Sequence, residues 1–249
     1  MLKEERLAKI LDRLTTDQKV LLSTLSEELN VSEHTIRRDI RELSDQNLLK
    51  AVRGGAVPHS PTPYHFRDRM QRGAEYKKII AEKALTFLED GQDVIFDGGT
   101  STLAIAEVLP KDLRITVLTN SFPVASVLED HPNTEVIFAG GRLYKPSFVT
   151  LGSTVNRFFE NFHADLCFLG ICSIHPELGI TTVYHEECEA KAAMIRGASQ
   201  VVAVSAMEKI GTVETYSIGE TKSLHALVTE LSPEDALLHP YHHLGIQVL

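Results

Sequence analysis

From residue 76 onward, short apolar runs alternate with stretches of helical period. No other feature of the chain restricts its fold as strongly. The runs fall at 93–97, 115–120, 135–140, 166–172, 201–206, 224–229 and 246–249, and helices are expected over 76–89, 101–109, 121–130, 153–162 and 186–198. Runs such as Val94-Ile95-Phe96 and Val201-Val202-Ala203-Val204 show no polar alternation. A strand of that kind is buried on both faces, which implies a largely parallel sheet sandwiched between helices: an α/β domain over 76–249.

The first 57 residues obey a different period. Leu7, Ile10, Leu11 and Leu14 mark a helix over 3–14, and a short helix follows over 22–29. After the turn Asn30-Val31-Ser32, Ser32 is placed to cap a third helix over 33–46 whose apolar face is Ile36, Ile40 and Leu43. Residues 48–52 and 53–57 read as a β-hairpin turning at Arg53-Gly54-Gly55. Three helices and a hairpin make a winged helix-turn-helix. Residues 58–75, with Pro58, Pro61 and Pro63, read as a linker or arm.

The net charge of −9 argues at first against nucleic acid, but its distribution does not. Residues 1–60 balance ten basic side chains against ten acidic ones, so the whole excess lies in the remainder. An acidic bulk is repelled by phosphate and leaves the N-terminal segment as the surface that can meet DNA. With the inner face of the third helix fixed, Ser32, His34, Thr35 and Arg38 face outward, and Arg37 and Arg41 flank them one turn apart. Guanidinium groups at that place can reach base edges or phosphates, and Arg53 at the hairpin turn can reach the adjacent backbone. One winged helix makes few contacts, so a homo-oligomer on double-stranded operator DNA is expected.

Three segments that follow expected strands carry anion-binding chemistry: Asp97-Gly98-Gly99-Thr100-Ser101-Thr102, Thr119-Asn120-Ser121 and Gly140-Gly141-Arg142. Glycine lets backbone N–H groups approach an anion, a helix N-terminus adds partial positive charge, and hydroxyls add donors. In an open parallel sheet such loops converge on one crevice, which points to a phosphorylated effector. Glu186, Glu187, Lys191 and Lys209 are further candidates, carboxylates for hydroxyl groups and lysines for phosphate. Neither a P-loop nor a dinucleotide fingerprint is present.

Leu29-Asn30-Val31-Ser32, Thr35-Ile36-Arg37-Arg38-Asp39-Ile40, Leu43 and Val52-Arg53-Gly54-Gly55-Ala56 together resemble the N-terminal signature of the DeoR family of bacterial regulators. The resemblance runs from about residue 4 to the C-terminus. It takes in the segments at 97–102, 119–120 and 140–141, Gly152, Phe168-Leu169-Gly170, Glu186-Glu187, Lys191 and Lys209. It implies that the α/β domain resembles the sugar-phosphate isomerase and CoA-transferase fold, used to sense phosphorylated sugars, and that the chain is a repressor. The chain departs from the family twice. Gln46-Asn47 stands where a glycine is usual, and asparagine tolerates the left-handed conformation a helix end needs. Ala206-Met207-Glu208-Lys209 stands where the family has Asp-Ser-Ser-Lys, which implies a phosphorylated ligand smaller or less hydroxylated than a typical sugar phosphate, or one read by Glu186 or Glu208.

An isomerase with a DNA-binding head is the alternative from another class; its base would be Glu186 or Asp97. No motif favours a protein-binding adaptor. No cofactor and no metal are expected: Cys167, Cys172 and Cys188 lack ligand spacing, and His239, His242 and His243 lie in a loop without acidic partners. The mixed-charge start Met1-Leu2-Lys3-Glu4 and the absence of a long apolar run imply a cytoplasmic chain without a leader or a membrane partner.

Overall fold

The computed structural model describes residues 1–249. Helices α1 (Lys3–Asp17), α2 (Leu22–Leu29) and α3 (Glu33–Asp45) enclose a small apolar core built from Ile10, Leu14, Leu25, Ile36, Ile40 and Leu43. Ser32 caps α3, its hydroxyl accepting from the Thr35 N–H at 3.2 Å. The far end closes as a Schellman turn. Asn47 takes φ 56°, while Leu48 N–H donates to Leu43 O and Asn47 N–H to Ser44 O. Asparagine thus does here what glycine does elsewhere.

The wing has one strand more than the sequence pattern suggests. Strands β2 (Lys50–Val52) and β3 (Gly55–Val57) form the hairpin, and β1 (Val20–Leu21) pairs with the outer side of β3. Two residues are too few to show a period. Gly55 is required by this pairing, because a Cβ there would sit 1.8 Å from Val20 O.

Residues 58–75 are more than a tether. The arm contains helix α4 (Phe66–Met70), and Ser60 and Phe66 are buried. Ser60 Oγ donates to Cys172 O, and Phe66 N–H to Pro146 O. The prolines that suggest a loop instead hold an extended segment flat against the α/β domain. Helix α5 (Ala74–Ala84) then leads into that domain.

Seven parallel strands form the central sheet. They are β4 (Asp93–Phe96), β5 (Ile115–Thr119), β6 (Thr134–Phe138), β9 (Ala164–Gly170), β12 (Ala198–Val204), β14 (Ala226–Val228) and β15 (Gln247–Val248), in the order β15-β14-β12-β9-β4-β5-β6. Each of the seven sequence runs supplies one strand. Helices α6 (Thr100–Glu107), α7 (Phe122–Val127), α8 (Ser153–Glu160) and α9 (His185–Arg196) connect them, and separate apolar cores fill the two faces. Two small antiparallel additions escape the sequence pattern: the hairpin β7 (Arg142–Tyr144)–β8 (Val149–Leu151), and a sheet of β10 (Ser173–His175), β11 (Gly179–Thr182) and β13 (Tyr216–Gly219). No helix is long and apolar enough to cross a membrane.

The chain proceeds from β4 to β5 and β6 in one direction and returns through β9 to β12, β14 and β15 in the other. The topological switch point therefore lies between β4 and β9. Open parallel sheets bind ligands at the carboxyl ends of the strands at such a point.

Candidate nucleic-acid interface and anion cleft

On the winged helix, Arg37, Arg38, Arg41 and Arg53 are exposed, and none has a carboxylate within ion-pair distance. Arg37, Arg41 and Arg53 border a shallow concavity between α3 and the wing, floored by Leu22, Ile40, Gly54 and Gly55. Ser32 and His34 are exposed at the start of α3 and Thr35 is half-buried. Asp39 sits among these arginines in sequence but turns inward and is fully buried. Its carboxylate accepts from both Nε and Nη2 of Arg6 on α1, and this bond raises the already high pKa of the guanidinium. Burying Asp39 takes the carboxylate that stands between Arg38 and Arg41 in sequence off the outer face of α3. Spacing alone does not reveal this pair, because Arg6 lies thirty-three positions away.

At the switch point opens a cleft with about 700 Å³ of empty space. Gly98, Gly99, Thr100 and Ser101, between β4 and α6, line one side; Gly170, Ile171 and Cys172, following β9, line another. Helix α6 starts without a side-chain cap. Leu103 N–H reaches Gly99 O, whereas the N–H groups of Gly99 to Thr102 meet no protein acceptor. The first amides of a helix are orphan donors in general, and here they open into a cleft.

Beside them the cleft runs into a niche whose charged lining is Arg69, Arg72, Lys77, Lys209 and the single carboxylate Glu208, with Thr100 and Ser101 shared between the two spaces. Lys209 donates to Ile171 O at 3.0 Å. Burial pushes its ammonium below the ordinary pKa, and Arg69 and Lys191 push the same way. Lys77 is lowered by burial and then by Lys209 and Arg69. Glu208 opposes the shift at both lysines, but four cations face this one carboxylate, and an anion relieves their repulsion.

Other candidates are fixed by the protein itself. Asp97 is buried, and its carboxylate accepts from Gly98 N–H, Gly170 N–H and Lys191 Nζ. Lys191 lines the cleft; burial pulls its pKa down, but Asp97 and its other neighbours outweigh that and the net shift is upward. Thr102 is buried and turns its hydroxyl back to Gly99 O.

Two of the three expected segments do not share this space. Thr119 donates to Phe96 O, and Asn120 Nδ2 donates to Thr150 O on the β7–β8 hairpin. Gly141 packs against Val155 and Leu151 O, and Gly140 lies beside it. The physical reason is strand order. The β5 and β6 loops lie one and two strands beyond β4, at roughly 4.8 Å each, and the hairpin fills the gap. Glu186 is exposed and pairs with Arg142 outside the cleft. Its neighbour Glu187 is buried and lines the cleft. Ala206 borders the cationic niche.

The arm supplies the lining that sequence reasoning missed: Ser60, Thr62, Pro63, Tyr64 and Arg69. Arg69 Nη1 is held by Pro63 O at 3.2 Å and Tyr64 O at 2.8 Å. Glu214 is also buried on the cleft wall, and it faces Lys50 of the wing at 3.8 Å and His59 of the arm at 3.9 Å. Burial raises its pKa, opposed in part by those two groups. Lys50 Nζ further donates to Thr215 Oγ1, and Lys19 pairs with Glu177. The cleft and the winged helix thus share side-chain contacts. The histidines expected in a loop lie instead on a short helix, α10 (His239–His242), and at its C-cap; His239 and His242 face backbone carbonyls, and no three His, Cys, Asp or Glu side chains are gathered as a metal centre requires.

Comparison with known proteins agrees with both halves of the chain. Residues 6–62 match the family model described as DeoR-like helix-turn-helix domain, and residues 72–231 the one described as DeoR C terminal sensor domain. The HTH-type transcriptional regulator GolR of Listeria innocua is 33% identical over 246 residues, spanning 98% of this chain and 97% of that protein. The HTH-type transcriptional repressor GlcR of Bacillus subtilis is 32% identical over 253 residues, spanning 100% and 96%. The glycerol-3-phosphate regulon repressor of Escherichia coli is 30% identical over 229 residues, spanning 90% of each. Among solved structures, a D-ribose-5-phosphate isomerase in complex with phospho-erythronic acid overlaps 53% of this chain and 52% of that one, at 15% identity and a TM-score of 0.40.

Proposed function

The chain belongs to the DeoR family of DNA-binding transcriptional regulators, and from that premise we propose that it is a repressor released from its operator by a phosphorylated sugar or sugar-like effector. The observation that carries this reading is the meeting of orphan α6 amides, Lys209 and Arg69 around one space at the switch point. A phosphate there accepts from the amides of Thr100 and Ser101 and neutralises the crowded cations. Arg37, Arg38, Arg41 and Arg53 form the DNA-contacting face, and a second copy of the chain provides the second half-site.

Coupling runs through the arm. It connects the two parts of the chain and lines the cleft, so a ligand that draws Arg69 inward moves residues bonded to the winged-helix side. Of the two bases the isomerase reading names, Asp97 already accepts three hydrogen bonds, and Glu186 pairs with Arg142 outside the cleft. The test is thermal unfolding with a panel of sugar phosphates against the unphosphorylated sugars. A ligand at about 100 times its Kd adds roughly 2.7 kcal/mol. Stabilisation by phosphorylated members only, lost in Lys209→Met, is expected; equal stabilisation by unphosphorylated sugars contradicts the reading.

A further inference from the structure

The cleft is electrically bipolar, and its second pole is unused by a phosphate. Away from the cationic niche, the wall carries two buried carboxylates, Glu187 at 8% exposure and Glu214 at 7%. Glu187 makes no hydrogen bond or ion pair with the protein; nearby Lys191 is already committed to Asp97 and Gly170 O. Glu214 meets Lys50 Nζ and His59 Nε2 only at 3.8 and 3.9 Å, beyond hydrogen-bond length. Tyr64 and Tyr184 line the same cleft and lie edge to face at 5.3 Å, with Tyr144 against Tyr184 at 5.4 Å.

Two carboxylates of buried residues that line a cleft beside aromatic rings form an environment that favours a cation. They disfavour a second phosphate, whose charge they would repel. Neutral hydroxyls can donate to them, but bring no positive charge to set against theirs. An ammonium group donates three hydrogen bonds and cancels charge as well.

We propose that the effector is zwitterionic: a phosphorylated amino sugar, its phosphate at the Arg69–Lys209 niche and its ammonium between Glu187 and Glu214. This rests on the phosphate reading above. It also gives the loss of the family's aspartate at Ala206 a counterpart, since the carboxylates that read the ligand line the cleft outside the niche that Ala206 borders. An ammonium at Glu214 competes with Lys50 of the wing for the same carboxylate, so the ligand's cationic end acts directly on a contact to the DNA-binding part.

The test is calorimetric titration of the full chain with matched pairs of 2-amino and 2-hydroxy hexose 6-phosphates in the gluco, galacto and manno series. At least one amino member is expected to bind ten-fold or more tightly than its hydroxy partner. Glu187→Gln is expected to bring that pair to parity without lowering the Tm of the free protein, because the Glu187 carboxylate makes no hydrogen bond or ion pair for the amide to lose. Glu214→Gln should act likewise, and the N-acetylated ligand, which has lost the charge, should bind no better than the hydroxy one. Parity in the wild type across every pair, or a preference that survives both variants, overturns the proposal and leaves the phosphate reading standing. Binding by none of the phosphates overturns both.

Discussion

Removing Asp39 should unfold the DNA-binding part while leaving the α/β domain intact. The carboxylate is fully buried on α3 and takes two hydrogen bonds from Arg6, itself only 7% exposed on α1. Asp39→Ala strands a guanidinium in a core of Ile10, Ile36 and Leu43, and breaking a buried pair in this way costs about 3–5 kcal/mol. A unit of this size has about that much stability in total. Replacing both partners, as Arg6→Met with Asp39→Leu, removes the stranded charge and should recover most of the loss, since apolar replacement of a buried pair is often neutral or stabilising by about 1–4 kcal/mol. The assay is urea unfolding followed by circular dichroism, with duplex binding and sugar-phosphate binding measured on the same samples. Asp39→Ala should lose the first transition and all DNA binding yet retain ligand binding. A loss below about 1 kcal/mol, or a double variant worse than either single one, would refute the reasoning.

The exposed arginines give the next expectation. Arg38→Ala should lower affinity for a preferred duplex by about 1–3 kcal/mol if it reads a base, whereas loss of a phosphate contact weakens all sequences alike and reduces the salt slope by about one; unchanged binding by the Arg37, Arg38, Arg53 triple alanine variant removes this face from consideration. At the α6 start, a Cβ on Gly99 meets only Thr102 Oγ1, at 3.4 Å, whereas one on Gly98 strikes Val149 at 2.1 Å. Gly99→Val should therefore fold, bind DNA and lose the effector response; a normal response places the phosphate elsewhere. Burial raises the Glu214 pKa above its ordinary 4.5, so the folded state holds that proton more tightly than the unfolded state. Stability contributed by the protonated form is lost as pH rises through the raised value, and Glu214→Gln should flatten this part of the stability curve and leave the protein more stable at neutral pH. Parallel pH profiles of the two proteins would show that Glu214 is not desolvated in solution.

The parts of the fold that repeat a period were legible in the sequence. Val94-Ile95-Phe96 and Val201–Val204 announce buried parallel strands because both faces are apolar, and Ser32 and Asn47 announce the ends of α3 by their own chemistry. Long-range placement was not. Nothing local distinguishes Thr119-Asn120 from Gly98–Ser101; strand order does, and that order is set by packing across the whole sheet. Adjacent carboxylates on α9 are likewise ambiguous in sequence, and burial selects Glu187 over Glu186. The arm was hidden for a different reason. Its prolines signal only an extended backbone, while Ser60, Tyr64 and Arg69 acquire their place from the surface on which that backbone lies.

The central claim is that one molecule couples a phosphate-binding cleft to a DNA-binding head. It is tested most directly by fluorescence anisotropy on a duplex that the protein itself has selected from a random pool, titrated with and without the phosphorylated sugar that most raises its Tm. Coupled sites typically change each other's affinity about 5–150-fold, and by thermodynamic necessity the factor is the same in both directions. The expected result is a loss of duplex affinity within that range, matched by an equal loss of sugar-phosphate affinity when the duplex is bound. A sugar phosphate that saturates the cleft and leaves duplex affinity unchanged would contradict the account.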